Sequence, residues 1–433
     1  MEIKYELAKT LKEKPADESK LGFGHIFTDH MFIMNYDIGE GWHDARIVPY
    51  GDISLSPAAM CLHYGQEIFE GLKAYRTAEG KIQLFRPDEN FKRMNVSNER
   101  MVIPKINEQD AMEALMALLN VEKDWVPYSE GASLYIRPFI IATDPYVGVR
   151  PADHYMFMII LSPSGAYYST GLNPVKIYVE SNYVRAVRGG TGFAKTAANY
   201  AISLAGQDEA HKQDYEQVLW LDGVERKYVE EVGSMNIFFV IDGEIITPAL
   251  TGSVLSGITR KSAIEICRSK GYTVTERKIT IQEVAEAYDA GKLDEVFGTG
   301  TAAVISPIGE LKYGEKLNVV VPTGNFGNIL AAYYAKQMGI PIGKLICAAN
   351  ANNVLTDFIN TGIYDRNRKF YTTVSPSMNI LISSNLERLL YHLTGENDKL
   401  INEWFTALKN DGRYEVNDSV KAAIKENFYA GCC

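Results

Sequence analysis

Residues 185–200 read Arg185-Ala-Val-Arg-Gly-Gly-Thr-Gly-Phe-Ala-Lys195-Thr-Ala-Ala-Asn-Tyr200, a glycine-rich approach to one lysine that small residues follow. Glycine permits tight turns and lets a backbone pass close to a ligand. The small side chains of Thr196, Ala197 and Ala198 leave space beside Lys195. A lysine in such a place is desolvated, and desolvation favours the uncharged amine, which can form a Schiff base with a carbonyl compound. The stretch therefore predicts a reactive lysine.

Two charged residues outside this stretch complete the requirements of one cofactor, pyridoxal 5'-phosphate. That cofactor needs a lysine, an acid that keeps its pyridine nitrogen protonated, and a phosphate anchor. Glu231 lies shortly before the apolar run 237–241, where a carboxylate at the start of a buried strand can pair with the pyridine nitrogen. Arg93 is a candidate for the anchor because a guanidinium binds phosphate through two parallel hydrogen bonds.

Two glycine turns add backbone amides to the predicted phosphate site. The first, Thr251-Gly-Ser-Val-Leu-Ser-Gly257-Ile-Thr-Arg260, leads into a predicted helix, and the amides at a helix N-terminus attract anions. The second, Gly298-Thr-Gly-Thr-Ala-Ala303, follows the strand-like Glu295-Val-Phe297. Each turn is a weak signal alone, whereas the ordered set of lysine, acid, arginine and two turns indicates pyridoxal phosphate.

These residues resemble the branched-chain-amino-acid aminotransferases, which are fold-type IV pyridoxal-phosphate enzymes. Besides 185–200, the resemblance over residues 1–316 lies in Phe27-Thr-Asp-His-Met31, Leu62-His-Tyr-Gly-Gln-Glu-Ile-Phe-Glu-Gly71, Leu84-Phe-Arg-Pro87, Ser133-Leu-Tyr-Ile-Arg-Pro138, Asp144-Pro-Tyr-Val-Gly-Val149, Gln217-Val-Leu-Trp-Leu221, Glu231-Val-Gly233, Gly257-Ile-Thr-Arg260 and Phe297-Gly-Thr-Gly-Thr-Ala302. It implies an α/β (α+β) fold with two aminotransferase domains, D-amino-acid/branched-chain aminotransferase-like, and a homodimer.

The resemblance assigns a role to each candidate site residue. It implies that Lys195 attaches the cofactor and moves a proton between the substrate Cα and the cofactor C4′. It places Tyr200 at the phenolic oxygen of the cofactor and Glu231 at the pyridine nitrogen. The phosphate ligands that it implies are the side chains of Arg93 and Thr301 and the amides of Ile258 and Thr259. The substrate-binding residues that it implies are Phe23, Tyr64, Tyr135, Arg137, Val149, Thr301 and Ala302.

The resemblance also predicts how the substrate lies. The turn Thr301-Ala302 receives the α-carboxylate, and Val149 comes from the neighbouring subunit. The pair Tyr135-x-Arg137 favours L-branched-chain substrates over D-amino acids, with Arg137 available for the γ-carboxylate of glutamate. The implied reaction is ping-pong transfer of the amino group between L-leucine, L-isoleucine or L-valine and 2-oxoglutarate. We expect no metal.

Beyond Tyr313 the pattern changes, and residues 317–433 resemble part of threonine synthase, a fold-type II pyridoxal-phosphate enzyme. Residues 317–336 predict a buried strand, a glycine loop and a helix, an arrangement that can cradle an anion. The other matching stretches are Lys344-Leu-Ile-Cys-Ala-Ala-Asn350, Val354-Leu-Thr-Asp-Phe-Ile359, Ser375-Pro-Ser-Met-Asn-Ile380 and Ser384-Asn-Leu-Glu-Arg388. The half of threonine synthase that carries its lysine has no counterpart here, so this α/β fragment is not expected to perform lyase chemistry.

The chain is long enough for several domains. The predicted boundaries give a small aminotransferase domain, an interdomain loop, a large domain with the reactive lysine and a threonine synthase-like partial domain, at 1–164, 165–175, 176–316 and 317–433.

Local patterns predict several elements of the second sheet and its surroundings. The apolar run 156–161 predicts a buried strand, and Ile241-Asp-Gly-Glu244 predicts a hairpin closed by an Asp-Gly turn. Residues 261–270 and 281–290 predict helices, the second of which ends at Gly291.

Composition excludes several classes of partner. The formal net charge is −10, with no basic stripe among aromatic residues, so nucleic acid is not expected. The longest apolar run is too short for a bilayer, and the charged Met1-Glu-Ile-Lys-Tyr-Glu6 is not a signal-peptide start. Five cysteines are few for this length and fit a reducing cytoplasm. The expected partners are small amino acids and 2-oxo acids.

Two alternatives remain open from sequence. Another fold-type IV enzyme, a D-amino-acid aminotransferase or a lyase, would use the same Lys195 and Glu231. A fusion with the threonine synthase-like tail could also be inactive.

Overall fold

The computed structural model describes residues 1–165, 173–302, 304–313, 317–338, 340 and 342–432. The chain forms two compact units, Met1–Tyr313 and Gly314–Cys433. Most of the predicted interdomain loop, residues 166–172, lies outside the described residues.

The first unit contains two eight-stranded sheets with their helices. The strands of the first sheet are β1 (Lys4–Tyr5), β2 (His30–Asp37), β3 (Gly41–Pro49), β4 (Glu67–Phe69), β5 (Leu72–Arg76), β6 (Ile82–Leu84), β7 (Ser133–Ala142) and β8 (His154–Ser164). The strands of the second are β9 (Val175–Val179), β10 (Gln217–Leu221), β11 (Val229–Val232), β12 (Asn236–Ile241), β13 (Glu244–Pro248), β14 (Val274–Arg277), β15 (Leu293–Gly300) and β16 (Val304–Lys312). The helices are α1 (Met60–Tyr64), α2 (Pro87–Met101), α3 (Glu108–Val121), α4 (Ala198–Ala201), α5 (Leu204–His211), α6 (Ile258–Ser269) and α7 (Ile281–Asp289).

The first sheet presents one face to a hydrophobic core and the other to the site. Its strand order is β1-β3-β2-β8-β7-β5-β6, and β4 pairs with β7. Successive side chains of a strand point to opposite faces. On β7, Leu134 and Ile136 are buried in the core that α2 and α3 cover. Tyr135 and Arg137 therefore lie on the opposite face. The predicted buried strand at 156–161 is confirmed as part of β8.

The second sheet has the order β11-β10-β9-β16-β15-β12-β13-β14. Asp242 and Gly243 join β12 to β13, so the predicted hairpin is confirmed. Helix α6 begins at Ile258 and α7 ends at Asp289, which confirms both predicted helices with α6 starting about one turn earlier than predicted. Because Gly257 is the N-cap of α6, the first amides of this helix lie where the sequence places them.

The second unit has a hydrophobic core of its own. Its strands are β17 (Leu317–Pro322), β18 (Ile342–Ala349), β19 (Ile363–Asp365), β20 (Arg413–Glu415) and β21 (Phe428–Cys432). Its helices are α8 (Gly327–Gln337), α9 (Val354–Thr361), α10 (Leu386–Leu393), α11 (Asp398–Asn410) and α12 (Asp418–Asn427). Strands β17, β18 and β21 form a parallel sheet, and the predicted strand, loop and helix of 317–336 are confirmed. Ile329 of α8, Phe358 of α9 and Trp404 of α11 belong to the core of this unit.

Candidate active site

Lys195 is held at the first sheet through its backbone. Its N–H donates to Ser97 Oγ on α2 at 2.9 Å, and its carbonyl accepts from the N–H of Phe69 on β4 at 3.0 Å. The next residue, Thr196, donates its hydroxyl to the carbonyl of Glu67 at 2.7 Å. Since these contacts fix the backbone on both sides of the lysine, only the side chain is left to move.

The glycines before Lys195 bring two stretches of protein backbone together. A Cβ on Gly192 would lie 2.1 Å from the carbonyl oxygen of Ser253 and 2.6 Å from Ala186 Cβ. The sequence predicts that these glycines allow close approach to a ligand, whereas Gly192 allows close packing against residue 253. The buried side chain of Asn199 closes the loop by donating to the carbonyls of Thr191 and Ala194.

The side chain of Lys195 projects into a cavity of about 560 Å³. That volume suits a cofactor together with a small substrate. The predicted site residues among those that line the cavity are Phe23, Tyr135, Arg137, Lys195, Tyr200, Thr301 and Ala302. Nζ of Lys195 donates to Tyr200 Oη at 2.8 Å, so the lysine and the tyrosine predicted to share the cofactor are already in contact.

Glu231 is buried at the end of a narrow pocket that adjoins this cavity. The pocket shares Tyr200 and Ser234 with the larger cavity. One oxygen of Glu231 accepts from the N–H of Leu255 at 2.6 Å, and the other lies 3.3 Å from Arg185 Nε. Burial raises the pKa of the Glu231 carboxyl, against the opposing effect of the Arg185 guanidinium. A buried carboxyl with a raised pKa suits a group that shares a proton with a pyridine nitrogen.

Arg93 is fixed by a buried carboxylate. Its Nε and Nη2 donate to the two oxygens of Glu70 at 2.9 and 2.8 Å, and Nη1 donates to the carbonyl of Ser256 at 3.0 Å. Burial lowers the pKa of the guanidinium, but the Glu70 carboxylate outweighs burial, so the pKa of Arg93 is raised. The arginine is therefore a permanent cation held next to Gly257, at the start of α6.

The beginning of α6 requires glycine. A Cβ on Gly257 would lie 2.0 Å from Asn236 Oδ1, and Asn236 in turn donates to the carbonyl of Leu255 at 2.9 Å. Ile258 and Thr259 line a second cavity, of about 390 Å³, which shares Gly71, Gly300 and Thr301 with the cavity at Lys195. The three predicted phosphate elements, on α2, α6 and the turn after β15, thus surround neighbouring spaces.

Two predicted substrate residues are not in the cavity of this chain. Tyr64 lies at the end of α1 and is 39% exposed, and Val149 lies in a loop and is 86% exposed. The prediction that Tyr64 lines the pocket of its own chain is wrong for the single chain, because α1 points its last residues to the surface. The expectation for Val149 already assigned it to a neighbouring subunit.

Several residues that support the site are absent from the sequence predictions. Glu70 orients Arg93, Ser97 holds the backbone of Lys195, and Arg185 pairs with Glu231. Glu70 and Arg185 lie in the motifs that resemble the family, but their partners are distant in sequence. Only the tertiary structure identifies what these two charges neutralise.

Known proteins resemble this chain over most of its length. The amino-transferase class IV family model matches residues 67–311. The chain belongs to the class IV aminotransferases. A probable branched-chain-amino-acid aminotransferase of Staphylococcus aureus (strain MRSA252) is 57% identical over 344 residues, 79% of this chain and 95% of that protein. Branched-chain-amino-acid transaminase 1 of Bacillus subtilis (strain 168) is 57% identical over 335 residues, 77% of this chain and 94% of that protein.

Solved structures of branched-chain aminotransferases share the fold. The enzyme of Escherichia coli has a TM-score of 0.55 and 28% identity, over 65% of this chain and 86% of that one. The enzyme of T.th., complexed with N-(5'-phosphopyridoxyl)-L-glutamate, has a TM-score of 0.53 and 28% identity, over 65% of this chain and 85% of that one. The predicted fold-type IV fold, the branched-chain aminotransferase function and the pyridoxal-phosphate cofactor are confirmed.

The comparisons extend the family resemblance beyond its predicted end. A match of 344 residues is longer than 1–316, so the likeness to the Staphylococcus aureus aminotransferase includes residues past that boundary. The threonine synthase-like character of 317–433 stays a prediction.

The residues of this class IV aminotransferase fit pyridoxal phosphate. The amine of Lys195 and the hydroxyl of Tyr200 meet in the cavity, and the Glu231 carboxyl is buried beside it. The space at Gly257, which a Cβ would fill, lies between the cationic Arg93 and the first turn of α6. An amine, an acid and an anion site are thus arranged around connected spaces, as this cofactor requires.

Two further features concern metals and membranes. Asp37, Glu40 and His43 hold possible ligand atoms within 4.8 Å of one another. Their site is an exposed turn between β2 and β3, where Asp37 already pairs with His43 at 2.6 Å. Among the described residues, none of the helices combines the length and the apolar composition needed to cross a bilayer.

Proposed function

We propose that this enzyme exchanges the amino group between L-leucine, L-isoleucine or L-valine and 2-oxoglutarate, giving branched 2-oxo acids and L-glutamate. The observation that carries the proposal is the cavity at Lys195, where aromatic walls and one guanidinium meet. Aromatic walls suit an aliphatic side chain, which gains binding energy mainly through burial. A guanidinium suits the second carboxylate of glutamate.

When bound, pyridoxal phosphate supplies an electron sink for the charge that develops at the substrate Cα. Arg93, Thr301 and the amides of Ile258 and Thr259 hold its phosphate, and Glu231 contacts its pyridine nitrogen. The bidentate pair with Glu70 keeps Arg93 in one orientation, which supports its role as an anchor.

Lys195 moves the proton in this proposal. Its Nζ transfers the proton between the substrate Cα and the cofactor C4′. Tyr200 Oη accepts a hydrogen bond from this Nζ at 2.8 Å, which orients the amine in the cavity. The backbone contacts of Lys195 with Ser97 and Phe69 keep this arrangement in register with the first sheet.

The apolar walls select the substrate side chain. The rings of Phe23 and Tyr135 meet edge to face with centroids 4.8 Å apart. A Cβ on Gly71 would lie 2.3 Å from Tyr135 Oη, so glycine makes room for this ring. One methylene changes binding by only about 1–3 kcal/mol. We therefore expect that leucine, isoleucine and valine are all substrates.

Arg137 is proposed to distinguish the two kinds of substrate. Its Nη2 donates to Tyr135 Oη at 2.9 Å, and its guanidinium carbon lies 4.4 Å from the centre of the Phe69 ring. Replacing Arg137 with methionine should raise KM for 2-oxoglutarate about 10–100-fold, the worth of one or two hydrogen bonds to a charged group. KM for 4-methyl-2-oxopentanoate, which lacks the second carboxylate, should change much less. Equal changes for both oxo acids, measured at steady state, would contradict this role.

A steady-state assay of the purified full-length protein tests the proposal. L-Leucine with 2-oxoglutarate should give 4-methyl-2-oxopentanoate and L-glutamate, with the parallel double-reciprocal lines of a ping-pong reaction. D-Leucine should not react. Phosphohomoserine should not be converted to threonine, because the tail lacks the lysine-bearing half of threonine synthase. Preference for D-leucine, or no turnover of any branched-chain substrate, would overturn the proposal.

We also propose the assembly, the location and the domain division. The exposed Tyr64 and Val149 support a homodimer in which one subunit completes the pocket of the other, and light scattering of the pure protein tests it. Cys61, Cys267 and Cys347 are free, which is compatible with a cytoplasmic location. The proposed segments are 1–164, 165–175, 176–316 and 317–433, the last a threonine synthase-like partial domain.

A further inference from the structure

Lys73 is a buried lysine on the wall of the active site. It lies on β5, directly opposite Tyr135 of β7. Paired residues on neighbouring strands point to the same face of a sheet. The face that carries Tyr135 is the one that lines the cavity, while Leu72 and Ala74 point into the hydrophobic core. The lysine is only 7% exposed.

The ammonium group of Lys73 contacts the turn that is proposed to receive the substrate α-carboxylate. Nζ donates to the carbonyl of Ala302 at 2.7 Å. Gly300, Thr301 and Ala302 all line the cavity at Lys195. The contact joins β5 of the first sheet to the end of β15 in the second, so it fixes the turn against the substrate wall.

The charge of Lys73 has no partner of opposite sign within the described part of the protein. None of the described carboxylates forms an ion pair with it. The charged group of β7 on the same face is Arg137, which is also a cation, and Lys195 lies across the cavity. Glu70 is close in sequence, but both its oxygens are engaged by Arg93. A buried cation without an anion is costly.

The titratable groups around Lys73 are few. Tyr135 faces it from β7, and Tyr75 lies two residues along β5 and lines the same 390 Å³ cavity as Lys73. Helix α6 and strand β16 contribute only uncharged residues to the lining of that cavity. Burial lowers the pKa of Lys73 to about 8, and no neighbouring charge contributes. Its charge therefore changes within the range in which an enzyme can be assayed.

We propose that Lys73 positions the substrate α-carboxylate, by holding the Ala302 carbonyl and by supplying the positive charge that balances the carboxylate. The inference rests on the proposed function, because it assumes that the carboxylate lies at the Thr301-Ala302 turn. It makes Lys73 a positioning residue, distinct from the lysine that contacts the cofactor.

The sign of the pH dependence follows from the charge. Below about pH 8 the Lys73 amine is protonated in the free enzyme and attracts a carboxylate. Above that pH it loses the proton, so binding of a carboxylate requires uptake of that proton. The dissociation constant should then rise by up to about tenfold per pH unit. A purely structural hydrogen bond to Ala302 would not have this effect, because a neutral amine also donates.

The experiment measures binding of 4-methylvaleric acid to the holoenzyme by calorimetry between about pH 6.5 and 9.5. The control ligand is 4-methylpentanamide, which has the same shape and no charge. Wild type should bind the acid with an inflection near pH 8 and the amide without one. Lys73→Met should bind the acid about tenfold more weakly at neutral pH, the loss of one charge-assisted contact. Lys73→Arg should keep tight binding and lose the inflection, because the guanidinium stays charged.

The outcomes separate this inference from the proposed function. An inflection near pH 8 that persists unchanged in Lys73→Arg would overturn the role of Lys73. So would Lys73→Met binding the acid as wild type does. Turnover of L-leucine by wild type is measured on the same preparation. If that turnover is present and the binding data fail, only the inference is wrong; if it is absent, the proposed function is wrong.

Discussion

Replacing Lys195 with alanine is expected to lower kcat for L-leucine by roughly four orders of magnitude, the upper end of what one positioned acid–base group contributes. The amine of Lys195 donates to Tyr200 Oη in the cavity at 2.8 Å, and no second amine among the described residues lines that cavity. Alanine removes the proton carrier and the point of attachment of the cofactor together. Stopped-flow and steady-state kinetics of the purified variant measure the loss.

A matched lysine controls for general effects of the substitution. Lys212 is 62% exposed and pairs with Asp208 on the same helical face, so Lys212→Ala should keep wild-type kinetics. The account would be contradicted if Lys195→Ala retained more than a small fraction of wild-type kcat, or if Lys212→Ala lost activity to the same degree.

The second large effect is expected for Glu231→Gln. Glutamine keeps the shape of the side chain but removes the charge that pairs with Arg185 and with the pyridine nitrogen. We expect kcat to fall about 10²–10³-fold, the range for loss of one preorganised electrostatic partner. The midpoint of denaturant unfolding should also fall, because Arg185 is left buried without its counterion.

The adjacent carboxylate provides the control for this variant. Glu230 is also buried on β11, but its side chain accepts from the hydroxyl of Ser253 on the other side of the strand. Glu230→Gln should lower stability and leave kcat within about threefold of wild type, as expected for a residue outside the site. If both variants lost the same fraction of kcat, the loss would come from destabilisation and Glu231 would have no special role.

Local signals in the sequence identify the reactive groups but not the side chains that orient them. Lys195 is recognisable because glycine and small residues flank it within one stretch. Gly257 is recognisable because a glycine turn leads into an amphipathic helix. The contacts of Arg93 with Glu70 and of Lys195 with Ser97 join residues far apart along the chain. Such pairs depend on how α2 packs over β4, which no local pattern contains.

Lys73 illustrates the same limit more sharply. In the sequence it lies between Leu72 and Ala74, and a lysine in an exposed strand would look identical. Only the pairing of β5 with β7 and the position of the turn after β15 reveal that it is buried against Ala302. Tyr64 shows the converse, since its motif is typical of the family while its place in the pocket depends on a second subunit.

The tail was partly predictable for a simple reason. The alternation of a buried strand, a glycine loop and a helix is local, and β17 and α8 form as expected. That the tail has a separate core could not be read from this stretch. The core joins Phe326 to residues of α9, α11 and β21, far along the chain.

The most direct test of the account is to find where the cofactor is attached. The holoenzyme is reduced with borohydride, digested, and mapped by mass spectrometry. The account predicts that the phosphopyridoxyl group is found on the peptide containing Lys195 and on no other lysine, Lys73 included. A label on a different side chain, or no label on a protein that turns over L-leucine, would contradict it.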